Sequence, residues 1–224
     1  MPQNFDLKVF IITLIVIVCS ITLHEFGHAF SADYLGDPTP RKDSRVNLWP
    51  DKHFDPLGFF MILITSLYGM GIGWGKPVVF NPRYFRNPRR DTVIITVCGP
   101  LMNLLLALIF GLTIRLFHMS GHESLLYPGD GTTTTLGEFL QSFMTINLGL
   151  MFFNLIPIPP LDGSKIFAGL AHADLAWKYE RFMSMYGMAI LILLIASQSV
   201  GKIIGPAIAH AATLISGMSF GPVG

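Results

Sequence analysis

The sequence predicts an all-α polytopic membrane protein, and three observations support that prediction. Of the 224 residues, 51% are hydrophobic and only 13% are charged, whereas about a quarter of the residues of a soluble protein are charged. The mean hydropathy of the chain is +0.55. The apolar residues are also gathered into segments of membrane-spanning length. We therefore expect about five to six transmembrane helices, in a single membrane-embedded domain over residues 1–224.

Five apolar segments have the length and composition of membrane spans. In chain order they are Leu7–Ser31, Thr92–Phe117, Leu136–Ile156, Phe182–Ser197 and Gly201–Ile215. The last two are short and predict a C-terminal helical hairpin over about residues 182–217. The first segment looks like the apolar region of a signal peptide, but its single lysine is offset by an aspartate and no small-residue cleavage site follows. It is therefore predicted to be retained as a transmembrane helix.

A sixth apolar segment, Leu57–Trp74, ends in the glycine-rich stretch YGMGIGWG, which is a poor helix former. Lysines and arginines are concentrated in the loops on both sides of this segment, whereas residues 118–135 contain neither. Since cytoplasmic loops are enriched in these residues, we expect both basic loops in the cytoplasm, and the N-terminus and residues 118–135 outside. The sixth segment must then enter and leave on one side, either as a re-entrant segment or as a tight hairpin.

The stretch HEFGH, His24 to His28, lies at the end of the first predicted span. Histidines four residues apart share one face of a helix and can present two imidazoles to one zinc ion. Zinc lowers the pKa of a bound water to about 7. Glu25, beside the vacant coordination position, can take the proton of that water and pass it to a leaving amine. The spacing predicts metal-assisted peptide hydrolysis.

The depth of this motif in the membrane supports the metal interpretation. His24 follows Lys8 by 16 residues, which is about 24 Å of helix against a hydrocarbon core of about 30 Å. The motif is therefore expected inside the membrane, nearer its cytoplasmic face. An ionisable side chain there costs roughly 2.5–3.5 kcal/mol, so three of them require a compensating partner. The alternative is a polar helix end at the membrane surface, without a metal.

Two histidines leave the predicted zinc site short of a third protein ligand. Asp162, in the stretch FFNLIPIPPLDGSKI, is the best candidate because it follows a span that returns to the cytoplasmic side. The prolines of this stretch stop the helix and are expected to force an extended run, from which Asp162 can project into the bundle. Alternatively, Asp162 is a loop aspartate that caps a short helix over Ser164–Ala171.

Three motifs together resemble the site-2 protease family of intramembrane zinc metalloproteases: HEFGH, GPLMN at Gly99–Asn103 and NLIPIPPLDG at Asn154–Gly163. The resemblance is strongest to the compact bacterial branch without an inserted PDZ or CBS domain. It implies one Zn²⁺ ion per chain, general base and acid catalysis by Glu25, and three metal ligands, which are His24, His28 and Asp162. It also implies a transmembrane protein as substrate, cleaved in or near its membrane-spanning segment in regulated intramembrane proteolysis.

The same resemblance draws attention to residues whose roles the sequence leaves open. Asn154 and Asn103 can hydrogen-bond the substrate backbone or the developing oxyanion, and Asn103 can instead serve helix–helix packing. His53, in HFDPLG, can reach the site from the cytoplasmic rim or be a hydrated loop histidine. The segment Gly73–Asp91, with a short strand at Val78–Phe80, suits a membrane-associated β-hairpin whose edge can hold an unwound substrate.

The same residues bear on three other classes of function. A net charge of +1, without a basic patch interleaved with aromatic residues, gives no indication of nucleic-acid binding. A membrane metal-ion transporter requires further ligands stacked along the membrane normal, and the external halves of the predicted spans offer none. An inactive homologue that binds client helices is the remaining alternative, and the intact Glu25 argues against it. The expected partners are therefore the lipid bilayer and a transmembrane substrate, in the cell membrane.

Overall fold

Regular structure in the described residues, which are 6–68, 74–129 and 131–219 of a computed structural model, consists of helices without a β-strand. The eight α-helices of these residues are α1 Leu7–Tyr34, α2 Thr39–Lys42, α3 Pro56–Tyr68, α4 Pro88–Met119, α5 Thr135–Asn154, α6 Asp162–Leu170, α7 Ala173–Ala196 and α8 Ser199–Ser216. Short 3₁₀ helices occur at Pro50–Lys52, Pro82–Tyr84 and Glu123–Leu125. The predicted all-α class is confirmed.

Four of the described helices are long and apolar enough to cross a membrane, namely α1, α4, α5 and α7. The predicted span Gly201–Ile215 corresponds to α8, which has 18 residues. The predicted segment Leu57–Trp74 corresponds to α3, which has 13 residues, and residues 69–73 lie outside the described part. At 1.5 Å per residue α3 is about 20 Å long, shorter than a hydrocarbon core of about 30 Å.

Side-chain caps set the beginnings of the three central helices. The carboxylate of Asp6 accepts hydrogen bonds from backbone N–H groups in the first turn of α1. Asn87 does the same for α4, where Pro88 occupies the first helical position, and Thr134 does so for α5. These N–H groups have no acceptor within their own helix, and proline has no N–H to satisfy. The polar residues between the apolar segments therefore define where the helices start.

Helix α4 is the centre of the bundle, since it packs against α1, α5, α6 and α8. One apolar cluster joins α4, α5 and α8, and its members Ile114, Met144 and Ala212 are fully buried. On the outward face of α4, Ile109 is 50% exposed, as expected for a side chain in contact with lipid. Helix α7 is mostly exposed and packs against α6 and α8.

The two basic loops lie together at one end of the bundle. Asp37 in the first loop is fully buried, and its carboxylate accepts hydrogen bonds from the backbone N–H groups of Thr39 and of Asn81 in the second loop. The guanidinium of Arg45 also crosses between the loops and donates to the carbonyl of Lys76. The loops therefore share one end of the bundle, and the side of the membrane that this end faces stays a prediction.

Residues that precede α3 are paired with residues that follow it in the chain. Phe54 and Gly75 form an isolated antiparallel bridge, and the N–H of Lys76 donates to the carbonyl of His53 at 2.7 Å. This geometry agrees with a segment that enters and leaves on the same side.

The strand expected at Val78–Phe80 is not formed, and the described residues 74–91 contain no β-hairpin. The backbone is without regular structure over Lys76–Asn81, and its one nearby sheet-like contact is the Phe54–Gly75 bridge. Pro77 lies within this run and Pro82 follows it, and each removes a backbone N–H that a strand ladder would use. The β-hairpin expectation is therefore corrected to an unpaired segment for these residues.

The packing of α4 predicts that Ile114→Ala will lower the free energy of unfolding by about 2–5 kcal/mol, because the substitution leaves a cavity in the apolar cluster. Ile109→Ala is the matched control, since Ile109 is 50% exposed and Ile114 is 0% exposed on the same helix. Unfolding of the detergent-solubilised protein measures both variants. Equal loss of stability in the two variants would contradict the described burial.

Candidate metal centre

Three side chains from α1 and α6 converge on one point inside the bundle. Nε2 of His24 and Nε2 of His28 are 3.1 Å apart. Oδ2 of Asp162 lies 3.1 Å from the first nitrogen and 3.2 Å from the second. All three side chains are buried. Lone pairs brought this close in a buried place require a cation or a proton between them.

Local structure explains how each ligand reaches this point. His24 and His28 are four residues apart on α1 and therefore share one face of that helix. The chain between α5 and α6 was expected to be extended, but it is a series of turns, in which the N–H of Leu161 donates to the carbonyl of Ile158 at 3.0 Å. Asp162 is the first residue of α6, and Leu161 occupies the cap position. The turns direct the Asp162 side chain towards α1.

Two glycines allow the backbone to approach this closely. At Gly99 of α4, a Cβ atom would lie 2.3 Å from Nε2 of His28 and 2.7 Å from Nε2 of His24. At Gly163, beside Asp162, a Cβ atom would lie 2.3 Å from the carbonyl oxygen of Leu155. No real Cβ atom tolerates such distances. The lack of a side chain at Gly163 therefore allows close contact with the end of α5.

Hydrogen bonds behind the imidazoles orient both histidines. Nδ1 of His28 lies 2.8 Å from the carbonyl oxygen of Ile95, and Nδ1 of His24 lies 2.6 Å from Oδ1 of Asn103. A carbonyl oxygen only accepts, so Nδ1 of His28 carries the proton and its Nε2 keeps a free lone pair. Metal-ligating histidines usually donate the second ring N–H in this way. Ile95, Gly99 and Asn103 succeed one another at intervals of four on α4, facing α1.

The donor set fits a zinc ion. Two imidazole nitrogens and one carboxylate oxygen form a known set of three protein ligands for catalytic zinc, with a fourth position left for water or substrate. An ion 2.0–2.2 Å from each ligand, the usual range, is compatible with ligand atoms 3.1–3.2 Å apart. Oδ2 of Asp162 is buried and accepts no hydrogen bond from a donor group in the described structure. A cation would satisfy it.

Glu25 follows His24 on α1, and its carboxylate faces a buried guanidinium. Oε2 of Glu25 lies 3.5 Å from a terminal nitrogen of Arg45, with the two side chains only 12% and 5% exposed. That oxygen has no hydrogen-bond partner in the described structure. Arg45 is also fixed at the carbonyl of Lys76. The carboxylate is therefore held beside a positive charge but keeps an oxygen free to accept a proton.

Arg45 is the site residue that the sequence did not reveal. In the sequence it is one of several basic residues of a loop, and such residues normally lie in water. Burial lowers the pKa of the Arg45 guanidinium from its ordinary value, and the charge of Glu25 opposes that shift. A residue so strongly basic remains charged, so the ion pair with Glu25 persists.

The other predicted site residues lie in three different environments. Asn103 reaches His24, as described, rather than an open surface. Asn154 ends α5, and its side-chain amide donates to the carbonyl of Leu150 at 2.9 Å, so its contact with substrate stays a prediction. His53 is 0% exposed, and its Nε2 lies 2.8 Å from the carbonyl oxygen of Asn47.

The burial of His53 excludes the hydrated-loop alternative. Burial lowers the pKa of its imidazole below the ordinary value, which favours the neutral ring. Its Nδ1 has no hydrogen-bond partner in the described structure. His53 therefore supports the loop that carries Arg45, while a role in contact with substrate stays a prediction.

Comparison with known proteins agrees with this geometry. The family model of peptidase family M50 matches residues 116–194. A Bacillus subtilis (strain 168) protein named "Putative zinc metalloprotease YwhC" is 38% identical over 184 residues, covering 82% of this chain and 78% of the relative. A Methanocaldococcus jannaschii protein named "Putative zinc metalloprotease MJ0611" is 31% identical over 163 residues, covering 73% of this chain and 72% of the relative.

A longer relative from Mycolicibacterium smegmatis, named "Putative zinc metalloprotease Rip2", is 33% identical over 156 residues, and the match covers 69% of this chain and 55% of that protein. No solved structure gives a significant match. The identity to the Bacillus and Methanocaldococcus proteins extends over more than two thirds of each relative. Together with the family model, it establishes that the chain belongs to peptidase family M50, the family of the site-2 proteases.

Proposed function

We propose that this multi-pass membrane protein is an intramembrane zinc endopeptidase, which hydrolyses peptide bonds in or near the membrane-spanning segments of other membrane proteins. One observation carries the proposal. The ligand atoms of His24, His28 and Asp162 lie 3.1–3.2 Å from one another on helices of an apolar bundle. Membership of family M50 and the zinc metalloprotease names of the relatives support the peptidase chemistry and the metal.

The residues of the site have different roles in peptide hydrolysis. When bound, a zinc ion supplies Lewis acidity and lowers the pKa of a coordinated water to about 7. Glu25 accepts the proton of the attacking water and delivers it to the leaving amine. Its free Oε2, held beside Arg45, is the atom suited to this transfer. Arg45 keeps the carboxylate in place without a direct hydrogen bond to that oxygen.

The position of the site supports a transmembrane substrate. His24 and His28 lie in the second half of α1, which is long and apolar enough to span a membrane. The basic loops lie at the same end of the bundle, so the charge pattern supports a site nearer the cytoplasmic face. A helical substrate hides its peptide bonds and must unwind first. The unpaired segment Val78–Phe80 offers backbone groups to an unwound chain, and Val79 is 66% exposed.

The alternative of a metal-ion transporter receives less support. Transport along the membrane normal requires successive ligand groups. Among the described residues, the group His24, His28 and Asp162 is the one set of at least three potential ligands close enough to hold a metal ion. A single buried group beside a free carboxylate favours catalysis at a resident ion.

The division of roles predicts opposite effects of two substitutions. Glu25→Gln will retain zinc but lower the rate of cleavage of a single-span reporter substrate by about 10²–10⁴-fold, because proton transfer is lost. Asp162→Ala will lose both zinc and cleavage. Zinc content of the purified protein and cleavage in proteoliposomes measure the two effects. His118→Ala is the control, since its ring is exposed and paired with Glu123.

Undiminished cleavage by Glu25→Gln would refute the assigned base, and full zinc content in Asp162→Ala would refute the third ligand. Transport of zinc into sealed vesicles by the Glu25→Gln variant would favour the transporter.

The contact between Arg45 and Glu25 predicts that Arg45→Gln will lower kcat by about 10- to 100-fold at unchanged zinc content, because a small misplacement of a catalytic group is costly. Arg41→Gln is the matched control from the same loop. Arg41 pairs with Asp33 and its side chain is 70% exposed. Equal kcat values for the two variants, measured on the reporter substrate, would show that the ion pair does not position the base.

A further inference from the structure

A chain of buried polar side chains links His24 to two neighbouring positions behind the metal ligands. Nδ1 of His24 lies 2.6 Å from Oδ1 of Asn103 on α4. Nδ2 of Asn103 donates to Oδ1 of Asn147 on α5 at 2.9 Å, and Nδ2 of Asn147 donates to Oγ of Ser20 on α1 at 2.8 Å. Ser20, Asn103 and Asn147 are all 0% exposed. We call these three residues the amide relay.

Two backbone carbonyls at the far end of the amide relay determine which of its side-chain atoms donate hydrogen bonds and which accept them. Oγ of Ser20 lies 2.6 Å from the carbonyl oxygen of Val16, and Nδ2 of Asn147 lies 2.8 Å from the carbonyl oxygen of Phe143. A carbonyl oxygen only accepts, so the Ser20 hydroxyl and the Asn147 amide must both donate there. Oδ1 of Asn147 is then left to face Asn103, which must present its own Nδ2 to it.

The hydrogen bonds to the Val16 and Phe143 carbonyls also determine which atom of Asn103 faces His24. With its Nδ2 committed to Asn147, Asn103 can offer His24 only its Oδ1, an acceptor. Nδ1 of His24 must then carry the ring proton, and Nε2 keeps the lone pair that points at His28 and Asp162. An inverted Asn103 amide would instead favour the wrong tautomer, with a proton on Nε2.

The two histidine ligands differ in this respect. His28 is fixed by the backbone carbonyl of Ile95, which no substitution of a side chain removes. His24 depends on side chains from two other helices. Simple helix packing does not require this arrangement, because a lone asparagine can satisfy its amide within its own helix, as Asn154 does at Leu150.

We propose that Asn103, Asn147 and Ser20 are positioning residues that hold His24 in the Nδ1–H tautomer and so present Nε2 to the metal ion. The inference rests on the proposed function, because the tautomer matters through zinc coordination. It assigns Asn103 to the metal ligand rather than to the substrate, and it adds two residues that none of the sequence motifs contains.

The test measures zinc affinity of the purified full chain by competition with a chelator of known affinity, independently of cleavage. Asn103→Leu removes the acceptor, and we expect about a 10- to 100-fold loss of zinc affinity, the usual effect of losing such a contact. Asn103→Asp keeps an acceptor towards Nδ1 but loses the donor to Asn147, and it is expected to lose less zinc affinity than Asn103→Leu. Asn147→Leu leaves Asn103 free to invert and is expected to weaken zinc binding by a smaller factor.

Ser20→Ala and Ser31→Ala form the matched pair of hydroxyl deletions on α1. Ser31 is also buried, but its hydroxyl donates only to carbonyls of its own helix, at Gly27 and His28. Ser20→Ala is expected to weaken zinc binding, and Ser31→Ala to leave it unchanged. If Asn103→Leu fails to fold, as judged by its thermal transition in detergent, the serine pair and Asn147→Leu decide the question.

The position of the ring proton on His24 distinguishes the proposal from a purely structural role of the amide relay. In the zinc-loaded protein labelled with ¹⁵N at histidine, we expect a proton on Nδ1 of His24 and none on Nε2. Zinc on Nδ1, equal zinc affinity in Asn147→Leu and the unchanged protein, or equal loss in Asn103→Asp and Asn103→Leu would each overturn the proposal. Failure of the proposed function would differ, since the unchanged protein would then bind no zinc or cleave no substrate.

Discussion

The burial of two imidazoles and a carboxylate within an apolar bundle is the constraint on which the rest of the structure depends. Each of these groups is costly away from water unless it is paired. Their polar atoms lie 3.1–3.2 Å apart, so a shared cation satisfies all three at once. The surrounding helices must then come close without covering the coordinating atoms. They must also supply hydrogen-bond partners for the other polar atoms of these side chains.

Helices α1 and α4 meet this constraint with the same spacing. Positions 20, 24 and 28 of α1 carry Ser20, His24 and His28, and positions 95, 99 and 103 of α4 face them. A four-residue interval keeps side chains on one helix face, so the two rows lie opposite each other. In the α4 row, Ile95 supplies a backbone acceptor, Gly99 supplies space, and Asn103 supplies a side-chain acceptor. The candidate metal centre therefore depends on the four-residue spacing along both helices as well as on the residues that would bind the ion.

The loop end of the bundle contacts Glu25, the proposed catalytic base, rather than the proposed metal ligands. Arg45 pairs with Glu25, and the backbone of Lys76 accepts a hydrogen bond from Arg45 and donates one to the carbonyl of His53. The basic residues of these loops thus divide into two kinds. Most are exposed, whereas Arg45 is buried and lies beside Glu25. Charge alone did not separate them, because a loop arginine has no sequence feature that marks it as buried.

Local pattern predicted α1, α4, α5, α7 and α8 to within a few residues at most of their ends, with α7 beginning nine residues before the predicted Phe182. It was less successful where the chain is irregular. The turns before Asp162 were expected to be extended, and the run Val78–Phe80 was expected to be a strand. In both segments proline prevents regular structure, because it lacks a backbone N–H. The conformation that forms instead depends on which carbonyls the remaining N–H groups can reach.

The sequence by itself determined the helices and the shared helix face of His24 and His28, because residues four apart on a helix are neighbours whatever surrounds them. Asp162 was also predicted from its motif, but only the tertiary structure decided which other side chains contact these residues. Asn103 lies 79 residues from His24, Asn147 lies 127 residues from Ser20, and Asp162 reaches α1 from a helix near the other end of the core. Such contacts follow from how whole helices pack, and no local periodicity encodes that packing.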